Sequence, residues 1–227
     1  MATLKDYLIS GKFNGEVSIN GMKMTLKDML ISAKLSGGGG GGGHDYIYNW
    51  DFTKSMVDSV QHMELTPVGD ISRDSGGLHI NNAILPGINS HVELTGLNVD
   101  GYCFEIDVAK YERQGNDHGR LFTIVQEGVA SSGFIFRKTG NWAIYSKKTS
   151  SWIESSLPYD GLDGQTVTIK LKTNESNERY MYAYLNDVLI ASGNMDASTT
   201  LNAFIGSDNG QAAYIMTITG LRVYQED

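Results

Sequence analysis

The chain has 227 residues, of which 41% are hydrophobic, and it carries a net charge of -8 with a pI near 5.1. This charge disfavours a nucleic-acid partner held through its phosphates, and the single cysteine, Cys103, excludes an intramolecular disulfide. We expect neither membrane insertion nor a secretion leader, because no stretch approaches the roughly 20 apolar residues of a span and no basic leader precedes an apolar run.

An eight-residue motif occurs twice near the N-terminus, as TLKDYLIS at residues 3–10 and as TLKDMLIS at residues 25–32. In each copy a threonine lies three residues ahead of an aspartate, which is a weakened capping box, and two leucines lie four residues apart. Each copy therefore predicts a short helix. The leucines concerned are Leu4, Leu8, Leu26 and Leu30.

The sequence between the two copies predicts one short strand or a hairpin. Turn signals at Asn14-Gly15 and Asn20-Gly21 bracket an alternating stretch whose apolar members are Val17 and Ile19. Residues 1–36 then form an α+β segment too small for a stable core of its own. We expect an anchor that docks on a larger assembly or oligomerises through these two residues and the four leucines; the alternative is a frayed arm.

Seven glycines follow at residues 37–43. They are either a flexible linker or an extended bundle in which close packing between chains excludes side chains, as at the axis of collagen. We favour the packed form and a trimer.

The period of the sequence changes after the glycines. Val167, Ile169 and Leu171 alternate with polar residues, as do Phe104, Ile106 and Val108. About a dozen such strands are separated by turn residues. Residues 44–227 are therefore predicted to form a mainly β domain, a two-sheet antiparallel jelly-roll sandwich.

Six motifs of this region, taken in order, resemble laminin-G and concanavalin A-like domains. The resemblance implies a jelly roll with a curved face that members often use for glycans, although others bind proteins and fold does not determine function. The motifs are WDFTKSMVDSV (50–60), GYCFEIDVAKYE (101–112), GRLFTIVQEG (119–128), YAYLNDVLIASG (182–193), AFIGSDNG (203–210) and GLRVYQED (220–227).

Because the resembled family includes glucanases, its three-acid motif is the relevant test for an enzyme. Glu105 and Asp107 share one face of a strand, but the third acid, expected at Ala109 or Lys110, is absent. Glu112 follows at an odd separation and lies on the other face unless a bulge intervenes. A retaining hydrolase needs two neighbouring carboxyl groups, so we predict no catalytic residue and two solvated acids on the outside of the strand.

Aromatic residues are the candidates for glycan contact. If Met181, Ala183 and Leu185 face the core, three tyrosines line the opposite face of their strand and offer stacking surfaces with polar tips. A second group lies in a neighbouring predicted hairpin. Packing within the sheet is an equal alternative for the tyrosines and the better one for each tryptophan alone. The candidates are Tyr180, Tyr182, Tyr184, Trp142, Tyr145 and Trp152.

The sequence predicts no cofactor and no metal site. The five histidines lack metal-ligand spacing, and no phosphate-binding or nucleophile motif occurs. Related domains often bind calcium through loop acids, but the aspartates in the loops here, Asp160, Asp163, Asp187 and Asp208, are also ordinary turn residues.

An anchor, a glycine stretch and a lectin-like domain are together similar to the architecture of bacteriophage fibre and decoration proteins. The similarity implies a non-enzymatic virion protein made in the host cytoplasm, with residues 1–36 on other virion proteins and residues 44–227 on host glycans. One alternative is a bacterial carbohydrate-active protein, either a degenerate glucanase or a binding module. Another is a sandwich that binds nothing and acts as a spacer.

Overall fold

The computed structural model describes part of the chain, and it divides into two compact units, Met1–Asp45 and Tyr46–Asp227. The predicted boundaries at 36/37 and 43/44 stay a prediction. The described residues are 16–19, 22–25, 44–82, 90–97, 101–114, 118–126, 129–137, 139–176, 178–195, 201–206 and 214–226.

The first unit contains an antiparallel hairpin. Strand β1 (Glu16–Ile19) pairs with β2 (Met22–Thr25), with Val17 opposite Met24 and Ile19 opposite Met22. The predicted strand or hairpin is therefore confirmed. Thr25 ends β2, whereas the rest of both predicted helices, with Leu4, Leu8, Leu26 and Leu30, and the glycine stretch lie outside the described residues.

The second unit is built from two antiparallel sheets, which confirms the predicted sandwich. The seven-stranded sheet has the order β12-β11-β10-β9-β16-β7-β4, and the eight-stranded sheet has the order β15-β14-β13-β8-β17-β6-β5 with β3 paired to β17. The strands are β3 (Tyr48–Asp51), β4 (Thr66–Val68), β5 (Ile71–Asp74), β6 (Gly77–Asn81), β7 (His91–Leu97), β8 (Tyr102–Arg113), β9 (Gly119–Gln126), β10 (Val129–Phe136), β11 (Asn141–Ser146), β12 (Ser151–Pro158), β13 (Gln165–Thr173), β14 (Arg179–Leu185), β15 (Val188–Asn194), β16 (Leu201–Gly206) and β17 (Tyr214–Gln225).

The hydrophobic core lies between the two sheets because alternate residues of each strand point inward. Val167, Ile169 and Leu171 of β13 are buried in it, and so are Phe104 and Ile106 of β8. Their polar neighbours point outward, so the alternation in the sequence fixes which side chains line the outer face of each sheet.

A bulge at Ala109 changes the register of β8. Val108 lies opposite Ile218 and Lys110 opposite Thr217, which leaves Ala109 as an extra residue. Val108 and Tyr111 are consequently both buried, whereas Lys110 is exposed. Beyond the bulge, Lys110 and Glu112 therefore face outward, and Tyr111 between them faces the core.

Two turns with positive φ angles adjoin strands β13, β14 and β15. Asn186 and Asp187 both have positive φ, as a two-residue hairpin turn between β14 and β15 requires. Gly164 has a φ of 69° at the entry to β13, a conformation that glycine adopts without strain. The described part of the chain is helical only in a 3-10 turn, Tyr159–Leu162, and holds no helix of the length and apolar character that a bilayer crossing needs.

Candidate functional site

Three tyrosines form a row on the outer face of β14. Tyr180, Tyr182 and Tyr184 are half-buried, whereas Met181 and Ala183 between them are buried in the core. The Tyr180 and Tyr182 ring centroids are 6.1 Å apart with a tilt of 33°. The orientation agrees with the alternation in the sequence. We call these three residues the tyrosine strip.

The strands on either side of β14 surround the tyrosine strip with polar side chains. On β13, Lys172 lies opposite Tyr180 and Lys170 lies opposite Tyr182. The Lys170 ammonium is also 5.1 Å from the centroid of the Tyr184 ring, within the range of a cation–π interaction. On the other side, Ser192 and Asn194 of β15 pair with Tyr182 and Tyr180. The strip is therefore an amphipathic surface of rings, hydroxyl, amide and ammonium groups.

The two lysines share one carboxylate. Glu226 forms ion pairs with Lys170 and with Lys172, the latter at 2.8 Å. Burial alone would raise the pKa of Glu226, but its bonds to the two ammonium groups outweigh burial and lower it. Burial opposes the charge of Lys170, yet the Glu226 carboxylate raises the pKa of that lysine too. The three groups are therefore held charged next to the tyrosine strip.

The predicted second aromatic group does not form one surface. Trp142 points inward from β11, is 0% exposed and stacks on Phe134 with centroids 5.0 Å apart. Its indole N–H donates to the Tyr159 carbonyl at 3.2 Å. Trp142 as a glycan-binding candidate is therefore wrong, because its ring is part of the core and its single donor already has a partner.

Tyr145 and Trp152 lie opposite each other on β11 and β12, on the outer face of the seven-stranded sheet. Their ring centroids are 4.8 Å apart. The Trp152 ring also contacts His118, with centroids 5.1 Å apart, and the Arg137 guanidinium at 4.8 Å. His118 precedes β9, three strands away from β12, so the indole lies across the face of the sheet. This cluster of four is on the opposite side of the sandwich from the tyrosine strip.

The acids of β8 point outward, as expected, but the expectation that both are solvated is wrong, because Glu105 is buried and Asp107 is only partly exposed. Glu105 is 8% exposed and its Oε2 accepts a hydrogen bond from Arg222 Nε at 2.8 Å. Arg222 also donates to both oxygens of Asp107, from Nη1 at 2.6 Å and from Nη2 at 2.8 Å. One arginine from β17, the neighbouring strand, therefore bonds to both carboxylates.

Further contacts complete this ion cluster. The Thr166 hydroxyl donates to Asp107 Oδ1 at 2.7 Å, and the Tyr46 hydroxyl reaches Glu105 Oε2 at 3.5 Å. Burial disfavours the charge on Arg222, but its bonds to the carboxylates outweigh burial and raise its pKa further. The bulge at Ala109 puts Glu112 on the outer face as well, where it pairs with Lys110. Both carboxylates are thus held by hydrogen bonds to Arg222, and the side chains of Glu105 and Asp107 are 10% and 27% exposed.

Residues that could hold a metal do not come together in the described ranges, where no group of three His, Cys, Asp or Glu side chains has a suitable arrangement. Asp163 instead accepts a hydrogen bond from the Tyr111 backbone at 2.8 Å, and Asp187 occupies the hairpin turn. Asp208 lies outside the described residues.

The sequence analysis did not identify the charged residues beside the tyrosine strip or the arginine of the ion cluster. The alternation of β13 could have placed Lys170 and Lys172 on the outer face, but not beside the tyrosines, because strand order is not local information. Arg222 belongs to β17, whose pairing with β8 spans more than 100 residues, and Glu226 directly follows this strand. No local signal marks them.

Comparison with known proteins identifies the fold of the chain but no family. No family model matches the chain, and no curated protein matches it. The binding domain of botulinum neurotoxin DC in complex with SialylT has a TM-score of 0.51 at 10% identity; the match covers 80% of this chain and 48% of that one. The chain therefore spans about half the length of the toxin domain.

Two other solved structures are matched over their whole length. One is an endo-acting O-glycanase that members of the human gut microbiota express to initiate mucin breakdown (TM-score 0.51, 8% identity, 81% of this chain and 100% of that one). The other is a carbohydrate esterase of the Shiga toxin-encoding bacteriophage phi24B (TM-score 0.50, 10% identity, 82% and 100%). The second unit has a concanavalin A-like fold. Identities this low establish the fold alone.

Proposed function

We propose that the second unit is a non-catalytic glycan-binding domain and that the tyrosine strip is its binding surface. The observation that carries the proposal is the strip itself: three half-buried rings, Tyr180, Tyr182 and Tyr184, on one outward face. At roughly 3.4 Å per residue they extend along about 14 Å of strand, which suits several sugar units in a row. Tyrosine supplies an apolar face for a sugar ring and a hydroxyl for its polar edge.

The neighbours of the strip support the same function. Ser192 and Asn194 provide hydroxyl and amide groups beside Tyr182 and Tyr180. Hydroxyl and amide groups can exchange hydrogen bonds with the hydroxyl groups of a sugar.

Binding without hydrolysis is supported by the ion cluster. Glu105 and Asp107 are the only pair that the sequence offered as glucanase acids, and Arg222 bonds to both. The alternative function, a degenerate glycoside hydrolase, requires one of them as nucleophile. Hydrolysis of β-glucans or mucin glycans by the protein, lost in Glu105→Gln, would favour that alternative.

The wider proposal is a virion fibre or decoration protein. Residues 1–36, with the repeated octapeptide, would dock on the particle or form a trimer, and the glycines would connect them to the glycan-binding domain. The occurrence of the same fold in a phage esterase supports this setting. Light scattering of the full chain tests the assembly: we expect a defined oligomer, and a smaller mass when Leu8 and Leu30 are both replaced by aspartate.

Glycan binding is tested on an array with the full chain. We expect retention on a restricted set of oligosaccharides, lost in Tyr182→Ala and kept in Tyr159→Ala, a control at an exposed tyrosine remote from the strip in sequence. Equal retention by both variants, or none by the unaltered protein, would refute the proposed function.

A further inference from the structure

We propose that the glycans bound by the tyrosine strip, a function on which this inference depends, carry a carboxylate that binds Lys170 and Lys172, and that Glu226 holds this position in the free protein. The ligand class is thus an acidic oligosaccharide. Glu226 is a competing internal anion that the ligand replaces.

The position of the lysines carries the first step. Lys170 and Lys172 are the direct cross-strand neighbours of Tyr182 and Tyr180 on the outer face. Lys170 also contacts the Tyr184 ring. A sugar stacked on the strip would therefore hold its substituents against two ammonium groups. Hydrogen bonds from a cation to a carboxylate are roughly twice as strong as those between neutral groups.

The second step is the charge of the surface. The chain as a whole is acidic, with a net charge of -8. Beside the strip, however, Lys170 and Lys172 share the single carboxylate of Glu226. These three groups together carry one net positive charge, which attracts an anionic group to the two lysines.

The third step is the position of Glu226. It follows β17, and its backbone N–H donates to the Gly101 carbonyl at 3.1 Å. Only its side chain reaches the lysines, so the carboxylate can leave without disturbing a strand. Lys172 is 47% exposed and Glu226 is 23% exposed. The second partner, Lys170, is 21% exposed. A ligand carboxylate that takes the place of Glu226 keeps both ammonium groups paired, so the exchange leaves no buried charge without a partner.

The chemistry of the exchange is balanced. One carboxylate leaves the ammonium pair and another takes its place, so no proton is transferred and the charge at the lysines is unchanged. Glu226 then becomes solvated. Glu226→Gln removes the competing charge from the lysines. We therefore expect this variant to bind acidic glycans more strongly than the unaltered protein does.

The test is an array of matched pairs, in which the same oligosaccharide is printed with and without a terminal sialic or uronic acid. Lys172→Gln is expected to weaken retention of the acidic members by about two- to fivefold, the range of one exposed ion pair. Glu226→Gln is expected to strengthen it by a similar factor. The matched controls are Lys54→Gln and Glu64→Gln, which make the same charge changes at exposed positions.

The outcomes separate this inference from the proposed function. Stronger retention of the neutral members than of the acidic ones would overturn the inference. An unchanged preference for acidic members in both Lys172→Gln and Glu226→Gln would overturn it too. In either case, binding that depends on Tyr182 would still support the proposed function. Absence of glycan binding by the unaltered protein would overturn both. An equal gain in Glu64→Gln would show that net charge, not displacement of Glu226, is responsible, and would also overturn the inference.

Discussion

Arg222 and Asp107 form a two-pronged ion pair between neighbouring strands of the eight-stranded sheet, with nitrogen–oxygen distances of 2.6 and 2.8 Å. The third donor of the same guanidinium, Nε, bonds to Glu105. The two acids that most resemble hydrolase residues are thereby part of the packing of β8 against β17. Their position on the outer face is a structural feature of the sheet.

Loss of Arg222 should destabilise the fold strongly. Arg222→Met leaves Glu105 and Asp107 without their common counter-charge, and breaking a buried pair in this way costs about 3–5 kcal/mol. Urea unfolding measures the free energy. Lys110→Met, which breaks the exposed pair with Glu112, is the control and should cost less than about 1 kcal/mol. Similar losses in the two variants would contradict the structural role of the cluster.

Asp58 should make the stability depend on acid pH. It is 1% exposed and accepts backbone N–H bonds from Asn49, Val60, Gln61 and Met63. Burial raises the pKa of Asp58, but these bonds outweigh burial and lower it below its ordinary value of 3.8. Its contribution is therefore complete above that value and is lost as the pH falls through the lower, folded-state pKa.

Asp58→Asn tests this pH dependence by unfolding at several pH values. The variant should be less stable by about 3 kcal/mol at pH 7, and the difference from the unaltered protein should shrink below pH 4. A difference that stays constant down to pH 2 would contradict the assignment.

Cys103 should react slowly in the folded protein. Burial, followed by the nearby Glu226 carboxylate, raises the pKa of its thiol to about 11, and the side chain is 0% exposed. Since the thiolate is the reactive form, an aromatic disulfide reagent at pH 8 should label the protein quickly only in denaturant. Rapid labelling of the native protein would contradict this burial.

The two tryptophans of the second aromatic group should respond differently to substitution. Trp142→Ala removes a core ring and should cost about 3–5 kcal/mol. Trp152→Ala should cost less, because its half-buried ring lies outside the core. Thermal unfolding of both variants provides the comparison. A larger loss of stability in Trp152→Ala than in Trp142→Ala would contradict this assignment of the two rings.

The sequence predicted the parts of the fold that depend on local alternation. Tyr182 faces outward and Met181 inward because successive side chains of a strand point to opposite sides. The same rule separates Trp142 from Tyr145, which are three residues apart on one strand, so a single surface containing both was already excluded by parity.

The remaining features depend on pairings between distant strands. Arg222 lies opposite Glu105, 117 residues away, and neither residue carries a local signal of the other. The bulge at Ala109 likewise needs the register of β17 to be known. Lys170 and Lys172 become part of the candidate site only once β13 is placed next to β14.

Calorimetric titration of the best array glycan tests the central claim, that the tyrosine strip binds glycans. Tyr182→Ala should weaken binding at least about tenfold, the loss of one stacking contact worth roughly 1.4 kcal/mol, while unfolding stability stays within about 1.5 kcal/mol and Tyr159→Ala binds as the unaltered protein does. Unchanged affinity in Tyr182→Ala, with the glycan still bound at one site per chain, would contradict the claim and direct attention to Trp152 on the opposite sheet.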